Sequence, residues 1–431
     1  MRKIKNKLSS LKNNGFVVSS LFSSVSALVK IITAFLLSKI IALILGPKGL
    51  GMIGQLSSFI SVILVFAGGT INNGIVKYIA EYNNFEKEKI THIISTAFKI
   101  VLFSGISIGI LLIVFSSQIS NYVLQTTDYK NVIIIFGFTV LFYGLNNFLL
   151  SILNGYKNFE KFNKINIYGS ILGLIISAFF IYELNIFGAL VSLVTNQSII
   201  FLLTLYMVRN EKWLNKENFS SPFNKEEGLK LSKFALLAIA STALVPTSQF
   251  FVRKYIISHL GYVEAGYWEL VTRISTYSLL FFSLSISTYY LPRVSEIRLK
   301  KELRAEIINA YKLIIPAALL VFIIIYCARN LVIQILSTAS FSKSGELFLF
   351  QFIGDFFKIC SWVLGFQMVG RGMIKLSLFT EIFYNLLFVI LSILFINYFG
   401  FVGISYGYAL NYFIYLLLLL FIFRKLFFLK D

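Results

Sequence analysis

Long apolar runs, separated by short polar breaks, occupy most of this chain. A helix needs about 20 apolar residues to cross a hydrocarbon core about 30 Å thick. Twelve runs meet that requirement: 16–45, 50–80, 92–115, 131–153, 165–182, 186–208, 233–258, 266–290, 307–328, 347–370, 376–396 and 402–424. The first two exceed one crossing, so they are expected to tilt or to project from the bilayer. The moderately apolar segment 329–346 is expected to be a loop, re-entrant or peripheral. The pattern predicts an all-α polytopic membrane protein with twelve transmembrane helices.

Composition agrees. Of 431 residues, 57% are hydrophobic and 13% charged, and the mean hydropathy is +0.81. Soluble domains average about 45–50% apolar and about 25% charged, so an ordinary globular enzyme, a disordered chain and a collagen-like repeat are excluded. A net charge of +20 would suggest nucleic acid in a soluble protein. Here the bases lie between apolar runs, and no nucleic-acid partner is expected. Cys327 and Cys360 lie in or beside apolar runs, and His92 and His259 lack zinc spacing, so no disulfide framework, metal site or cofactor is expected.

Basic residues set the orientation. The loops on the N-terminal side, with both termini, carry 26 Lys and Arg. The opposite loops carry Lys48, Lys130, Arg329 and Lys343. Basic loops stay cytoplasmic, so both termini are expected in the cytoplasm. The run after Arg2, Lys3, Lys5, Lys7 and Lys12 is too long for a cleaved signal peptide and is expected to remain as the first span.

A shift of about 215 residues superposes the two halves. Lys39-Ile40-Ile41 meets Lys254-Tyr255-Ile256, Leu45-Gly46 meets Leu260-Gly261, and Gly51 meets Gly266. Gly155 meets Gly370, Gly188 meets Gly403, and Asn196 meets Asn411. Six spans separate the matches, which predicts a parallel repeat: a lobe over 1–208, a cytoplasmic linker over 209–232 and a second lobe over 233–431. Transporters built from repeats place substrate at the repeat interface, so a central cavity between two pseudo-symmetric six-helix lobes is expected.

Twelve ionisable residues fall inside spans: Lys30, Lys39, Lys77, Lys99, Arg253, Lys254, Arg273, Lys312 and Lys358, against Glu269, Asp355 and Glu381. Each costs a few kcal/mol in hydrocarbon unless it faces protein or water. Ser19, Ser23, Ser26, Lys30 and Thr33 recur at helical spacing and form one polar stripe. Lys30 sits mid-span and is read as a cavity cation. Lys39, nearer the outer end, has two readings, cavity cation or snorkelling base. In the seventh span Thr242, Pro246, Gln249 and Arg253 share a face. The Arg253 guanidinium suits phosphate, while Lys254 is read as an anchor. Lys77 is either a cavity cation or the partner of Glu81 one turn on, and Ala67-Gly68-Gly69-Thr70 with Gly74 permit local unwinding or close packing. Glu269 with Arg273, and Asp355 with Lys358, are spaced to neutralise one another. Glu381, with Asn385 one turn on, has no local partner and is a candidate for ion coupling or for pairing with a cavity lysine. Lys99 and Lys312 are read as snorkelling. A net positive interior favours an anion, and an amphiphile with an anionic head and a lipid-soluble tail fits best.

The residues that carry a family resemblance are now in view. Lys39, Gly46-Pro47-Lys48-Gly49-Leu50-Gly51 and Asn73-Gly74-Ile75-Val76-Lys77-Tyr78 lead, followed by Leu231-Ser232-Lys233-Phe234, Arg253-Lys254 and Tyr290-Leu291-Pro292. The run from Gln351 through Gly354-Asp355 and Lys358 to Glu381 completes the set. In order and spacing these resemble the Wzx-type flippases of lipid-linked oligosaccharides, of O-antigen or enterobacterial common antigen (lipid III) type, in the multidrug/oligosaccharidyl-lipid/polysaccharide exporter superfamily. The resemblance implies twelve helices in two lobes and passage of undecaprenyl-pyrophosphate-linked oligosaccharide across the bacterial inner membrane. Membrane lipid, and the polymerase and chain-length proteins of the pathway, would be its partners. It implies matching charges at Lys30, Lys39, Lys77, Arg253, Asp355, Lys358 and Glu381, while Glu269 and Arg273 are not carried over. Two other functions compete. An ion-coupled multidrug antiporter of the same superfamily calls for cavity carboxylates, where the first span offers lysine. A membrane glycosyltransferase or polymerase calls for catalytic groups on large outer loops, and these loops are short. No covalent chemistry is visible, so a transporter rather than an enzyme is expected.

Overall fold

The computed structural model describes residues 15–83 and 87–427. The basic N-terminal cluster from Arg2 to Lys12 lies outside the described residues, as does the side chain of Ser19. Every regular element among the described residues is helical. In chain order they are α1 (Gly15–Phe66), α2 (Asn72–Tyr82), α3 (Lys87–Val114), α4 (Ser116–Leu124), α5 (Lys130–Gly155) and α6 (Phe159–Val208). Then come α7 (Lys216–Ser220), α8 (Lys225–Thr242), α9 (Leu244–His259) and α10 (Tyr262–Ser285), followed by α11 (Lys300–Cys327) and α12 (Arg329–Leu336). Next come α13 (Phe348–Gly370), α14 (Ile374–Phe399) and α15 (Gly403–Ile422), and two short helices, Leu291–Glu296 and Arg424–Phe427, complete the set. Large apolar side chains stand outside, with Phe103 77% and Leu313 74% exposed. Such surfaces are stable in lipid, where the apolar side chain has no water to avoid.

Among the described residues, eight helical stretches are long and apolar enough to cross a membrane. Three of them, Phe22–Phe66, Phe159–Val208 and Ile374–Ile422, are 45, 50 and 49 residues long. A crossing takes about 20 residues, so each has length for two. Each is interrupted by one residue of positive φ: Gly46 (62°), Asn185 (50°) and Gly400 (62°). The expected span 233–258 is divided at Ala243 between α8 and α9. Pro246 lies in the first turn of α9, where the amide it lacks has no helical acceptor to serve. The expected span 50–80 is broken as well. Gly68 takes φ 97°, a 3-10 turn covers Gly69–Ile71, and α2 resumes at Asn72. The segment 329–346, expected to be a loop, is helical: α12 is followed by a 3-10 helix over Ala339–Leu347. Ile333, Leu336, Phe341 and Leu347 are buried there, so apolar burial offsets the cost of ordering.

The backbone repeats at the offset read from the sequence. Positive φ occurs at Gly46 and Gly261, at Lys157 and Gly372, and at Asn185 and Gly400, each pair separated by 215 positions. A Cβ on Gly188 would fall 1.8 Å from the Phe180 carbonyl oxygen, and one on Gly403 would fall 2.0 Å from that of Phe395. Both glycines therefore let the chain turn back tightly after the same bend.

The chain forms two compact units. The first comprises the described parts of Met1–Ile44 and Phe59–Ala243. Its buried cluster includes Ile75 and Ile79 of α2, Ile93 and Ile94 of α3, Phe148 and Ile152 of α5, and Leu231 of α8. The polar stretch 209–232 is docked on this unit. Thr91 donates to Asn218 Oδ1 (2.7 Å), Ser95 and Lys99 both donate to the Ser221 carbonyl, and the Asn224 amide donates to Thr96 Oγ1 (3.1 Å). Phe219 sets its ring edge-on to Phe98 at 5.1 Å. Lys99, expected to snorkel to water, instead serves a carbonyl of this strap. Next to it, Lys230 bonds Glu227 (2.9 Å) and Tyr82 (3.2 Å). The Glu227 hydrogen bond, opposed by burial and helped by Tyr82 and Glu226, holds the ammonium above the ordinary lysine range.

The second unit comprises Leu45–Ser58 and the described part of Leu244–Asp431. Gly51 and Gly266 bring α1 and α10 together: a Cβ on Gly51 would lie 2.3 Å from the Tyr262 carbonyl oxygen, and one on Gly266 would lie 1.9 Å from that of Pro47. Phe322 of α11 stacks on Phe352 of α13 at 5.3 Å.

Asn185 occupies a backbone region that suits glycine, and residues so held store about 1–3 kcal/mol of strain. Asn185→Gly is expected to stabilise the purified protein by about 1 kcal/mol, read as a raised thermal midpoint in detergent. Gly400→Asn is expected to lower it.

Candidate functional site

Arg253 of α9 is a buried charge, 1% exposed. Its Nη1 donates to the Gly54 carbonyl (2.9 Å) and Ser58 Oγ (2.5 Å), and its Nη2 donates to Glu269 Oε2 (2.6 Å). The guanidinium lies 4.8 Å over the Trp268 ring. The other oxygen of Glu269 accepts from Arg273 Nε at 2.7 Å. One carboxylate thus holds two guanidiniums, and the cluster keeps a net charge of about +1. A Cβ on Gly54 would lie 2.6 Å from Glu269 Oε2, so only glycine there admits the carboxylate. The expected pair of Glu269 and Arg273 is present. That Arg253 joins it from another helix was not readable from local spacing.

A second constellation lies on α13, α14 and α15. Lys358 and Glu381 line a cavity of about 340 Å³ with Trp362, Tyr384, Tyr412 and Tyr415. Lys358 Nζ stands 5.1 Å from the Tyr412 ring centroid, 5.7 Å from that of Trp362 and 6.0 Å from that of Tyr408. Asp355, one turn earlier, is fully buried. It does not pair with Lys358 as expected. Its Oδ1 accepts from Ser275 Oγ (2.9 Å) and Tyr408 OH (2.8 Å). The i, i+3 spacing permits an ion pair, but neighbouring hydroxyls have taken the carboxylate, and the lysine has turned to the rings. Glu381 keeps Oε2 buried with no hydrogen-bond partner among the described residues. This matches the expectation that it lacks a local partner.

The third constellation belongs to the first unit. Lys30 lines a cavity of about 170 Å³ with Thr33, Asn146, Asn166, Asn196 and Gln197. The polar stripe of α1 faces α6, where Asn163 Nδ2 donates to Ser23 Oγ at 3.0 Å. Asn146 Oδ1 accepts from Thr204 (2.6 Å). Asn146 Nδ2 and Asn196 Oδ1 are buried without a partner among the described residues. No carboxylate lines this cavity. The amides were missed in the sequence because four uncharged residues on two helices carry no spacing signal. Only the fold gathers them around Lys30.

The remaining predicted residues stand apart from these cavities. Lys39 is half-buried. Lys77 is exposed, with Nζ 4.9 Å over the Tyr78 ring. Lys254 is half-buried and Lys312 exposed.

The repeated helices form an all-helical fold, among the described residues, that is shared with transporters of the MOP superfamily. The inward-facing conformation of a multidrug resistance MATE family transporter superposes with a TM-score of 0.76 at 17% identity, covering 93% of this chain and 96% of that one. The lipid II flippase MurJ, inward closed, superposes with a TM-score of 0.74 at 15% identity, covering 95% and 87%. Residues 16–298 match the polysaccharide biosynthesis protein family, and the chain belongs to that family. The lipid III flippases of Escherichia coli (strain K12) and Shigella flexneri are each 25% identical over 399 residues, 92% of this chain and 95% of theirs.

Breaking a buried pair from one side costs about 3–5 kcal/mol, whereas a partly exposed pair contributes about 1 kcal/mol or less. Glu269→Gln, which leaves two guanidiniums facing each other, is therefore expected to lower the thermal midpoint in detergent far more than Arg273→Gln. Equal effects would show that Arg253 does not depend on Glu269.

Proposed function

We propose that this protein is a flippase that moves undecaprenyl-pyrophosphate-linked oligosaccharide from the cytoplasmic to the periplasmic leaflet of the bacterial inner membrane, for surface polysaccharide assembly. Both termini are cytoplasmic in this reading, and the polymerase and chain-length proteins of the pathway are its partners. The lobes rock about the substrate while the polyprenyl tail stays in lipid. The chain does no covalent chemistry.

The observation that carries this reading is the Lys30 cavity. It combines one cation, four amides and the hydroxyls of Thr33 and Ser170, with no carboxylate among its described lining residues. Amides and hydroxyls both donate and accept, as sugar hydroxyls do, and the lysine favours an anionic group. A drug-cation antiporter would need a carboxylate where Lys30 stands. Membership of the polysaccharide biosynthesis family and the likeness to lipid III flippases support the same substrate class. Arg253 is enclosed, with Nη1 and Nη2 held by Gly54, Ser58 and Glu269 and Nε buried without a partner among the described residues, so phosphate recognition falls to Lys30 rather than to the guanidinium.

Reconstituted in liposomes, the protein is expected to move a lipid-linked oligosaccharide and not a cationic dye. A charge-assisted hydrogen bond contributes about 1.5–3 kcal/mol. Lys30→Ala is therefore expected to slow flipping at least about tenfold at unchanged protein level. Dye transport without lipid flipping would establish the antiporter instead.

A further inference from the structure

Shifting the lining of the Lys30 cavity by 215 positions gives residues that partly overlap the lining of the second cavity. Asn166 becomes Glu381, Gly169 becomes Tyr384, Gln197 becomes Tyr412 and Ile200 becomes Tyr415. The repeat has built a cavity at the same helix positions in each unit, but amides and small residues in one are replaced by aromatic rings and a carboxylate in the other.

We infer that the cavity of Lys358, Trp362, Glu381, Tyr384, Tyr412 and Tyr415 is a subsite for a neutral sugar ring, and not for the pyrophosphate. The inference rests on the flippase reading and adds which part of the substrate this cavity takes.

Three observations carry it. First, an acid and a base face one cavity and do not pair. Lys358 Nζ is held over aromatic rings, and Glu381 Oε2 is buried without a partner among the described residues. Opposite charges left apart in a low-dielectric wall are costly unless something bridges them. A hydroxyl can donate to Glu381 and accept from Lys358 at once. Second, the walls are aromatic. Tyr384 lies 5.9 Å from Tyr412 and 4.9 Å from Tyr415 by ring centroid. A pyranose presents an apolar C–H face and a rim of hydroxyls, and aromatic residues with polar tips match both. Third, the charge pattern excludes the alternatives. A pyrophosphate would meet the Glu381 carboxylate and the negative ring faces, and an organic cation would meet Lys358. The volume of about 340 Å³ falls at the small end of ligand pockets, about 300–1,000 Å³, which suits one or two rings.

The test is saturation-transfer difference NMR on the full chain in detergent micelles, with free maltotriose or triacetylchitotriose as saccharide and inorganic pyrophosphate as competitor. Transfer is expected onto the ring-face C–H protons of a saccharide and is not expected to be displaced by pyrophosphate. Trp362→Ala with Tyr412→Ala is expected to weaken saccharide binding about tenfold or more. Glu381→Gln, which keeps the rings, is expected to weaken it while preserving the ring-face pattern. Absence of transfer to either saccharide, transfer unchanged in both variants, or displacement by pyrophosphate would each overturn the assignment. The readout needs no lipid carrier. A protein that binds saccharide but fails to flip would refute the transport reading and leave the subsite standing.

Discussion

An ionisable group in hydrocarbon must be paired, hydrated or turned toward protein, and this constraint orders the interior of both units. The Arg253 cluster meets it by pairing: Glu269 serves two guanidiniums at once, and Gly54 and Ser58 accept from Nη1 of Arg253. Asp355 meets it with hydroxyls from Ser275 and Tyr408. Lys99 meets it with a backbone carbonyl. Lys30 and Lys358 meet it in another way, by facing cavities. The groups already satisfied by protein hold helices together. Those left facing space are the ones available to a substrate.

The duplicated chain adds a second logic. The turns at Gly46 and Gly261, Lys157 and Gly372, and Asn185 and Gly400 place equivalent helices in equivalent frames. Because the frames match, some of the residues that line one cavity, Asn166, Gly169, Gln197 and Ile200, have counterparts lining the other. The frames do not dictate the chemistry. Glycine and glutamine in the first unit correspond to two tyrosines in the second. One backbone design therefore supplies two unlike surfaces, one rich in amides and one in aromatic rings.

Much of the fold was legible in the residues. The apolar runs, the 215-residue offset and the unwinding at Ala67-Gly68-Gly69-Thr70 all follow from local chemistry, since helix length and glycine freedom act over a few residues. The departures come from contacts made elsewhere. The strap at 209–232 reads as a solvated linker because its composition is polar, yet Thr91, Ser95, Thr96 and Lys99 hold it through its backbone and Asn218. The segment 329–346 reads as a loop because it is only moderately apolar, and it becomes helical where Phe341 and Leu347 find burial.

The candidate site divides along the same line. Sequence alone determined that the spans carry nine cations and three acids, that Glu269 could reach Arg273 along one helix, and that Glu381 has no partner within its own turns. Those are consequences of helical spacing and need no neighbour. Tertiary structure decided which charge is spent and which is open. Arg253 and Lys358 both look like cavity cations in the sequence, but Glu269 and the Gly54 carbonyl enclose the first, while the second stands over rings beside Glu381, whose Oε2 has no partner among the described residues. Pairing in hydrocarbon is settled by which helices touch, and no local pattern encodes that.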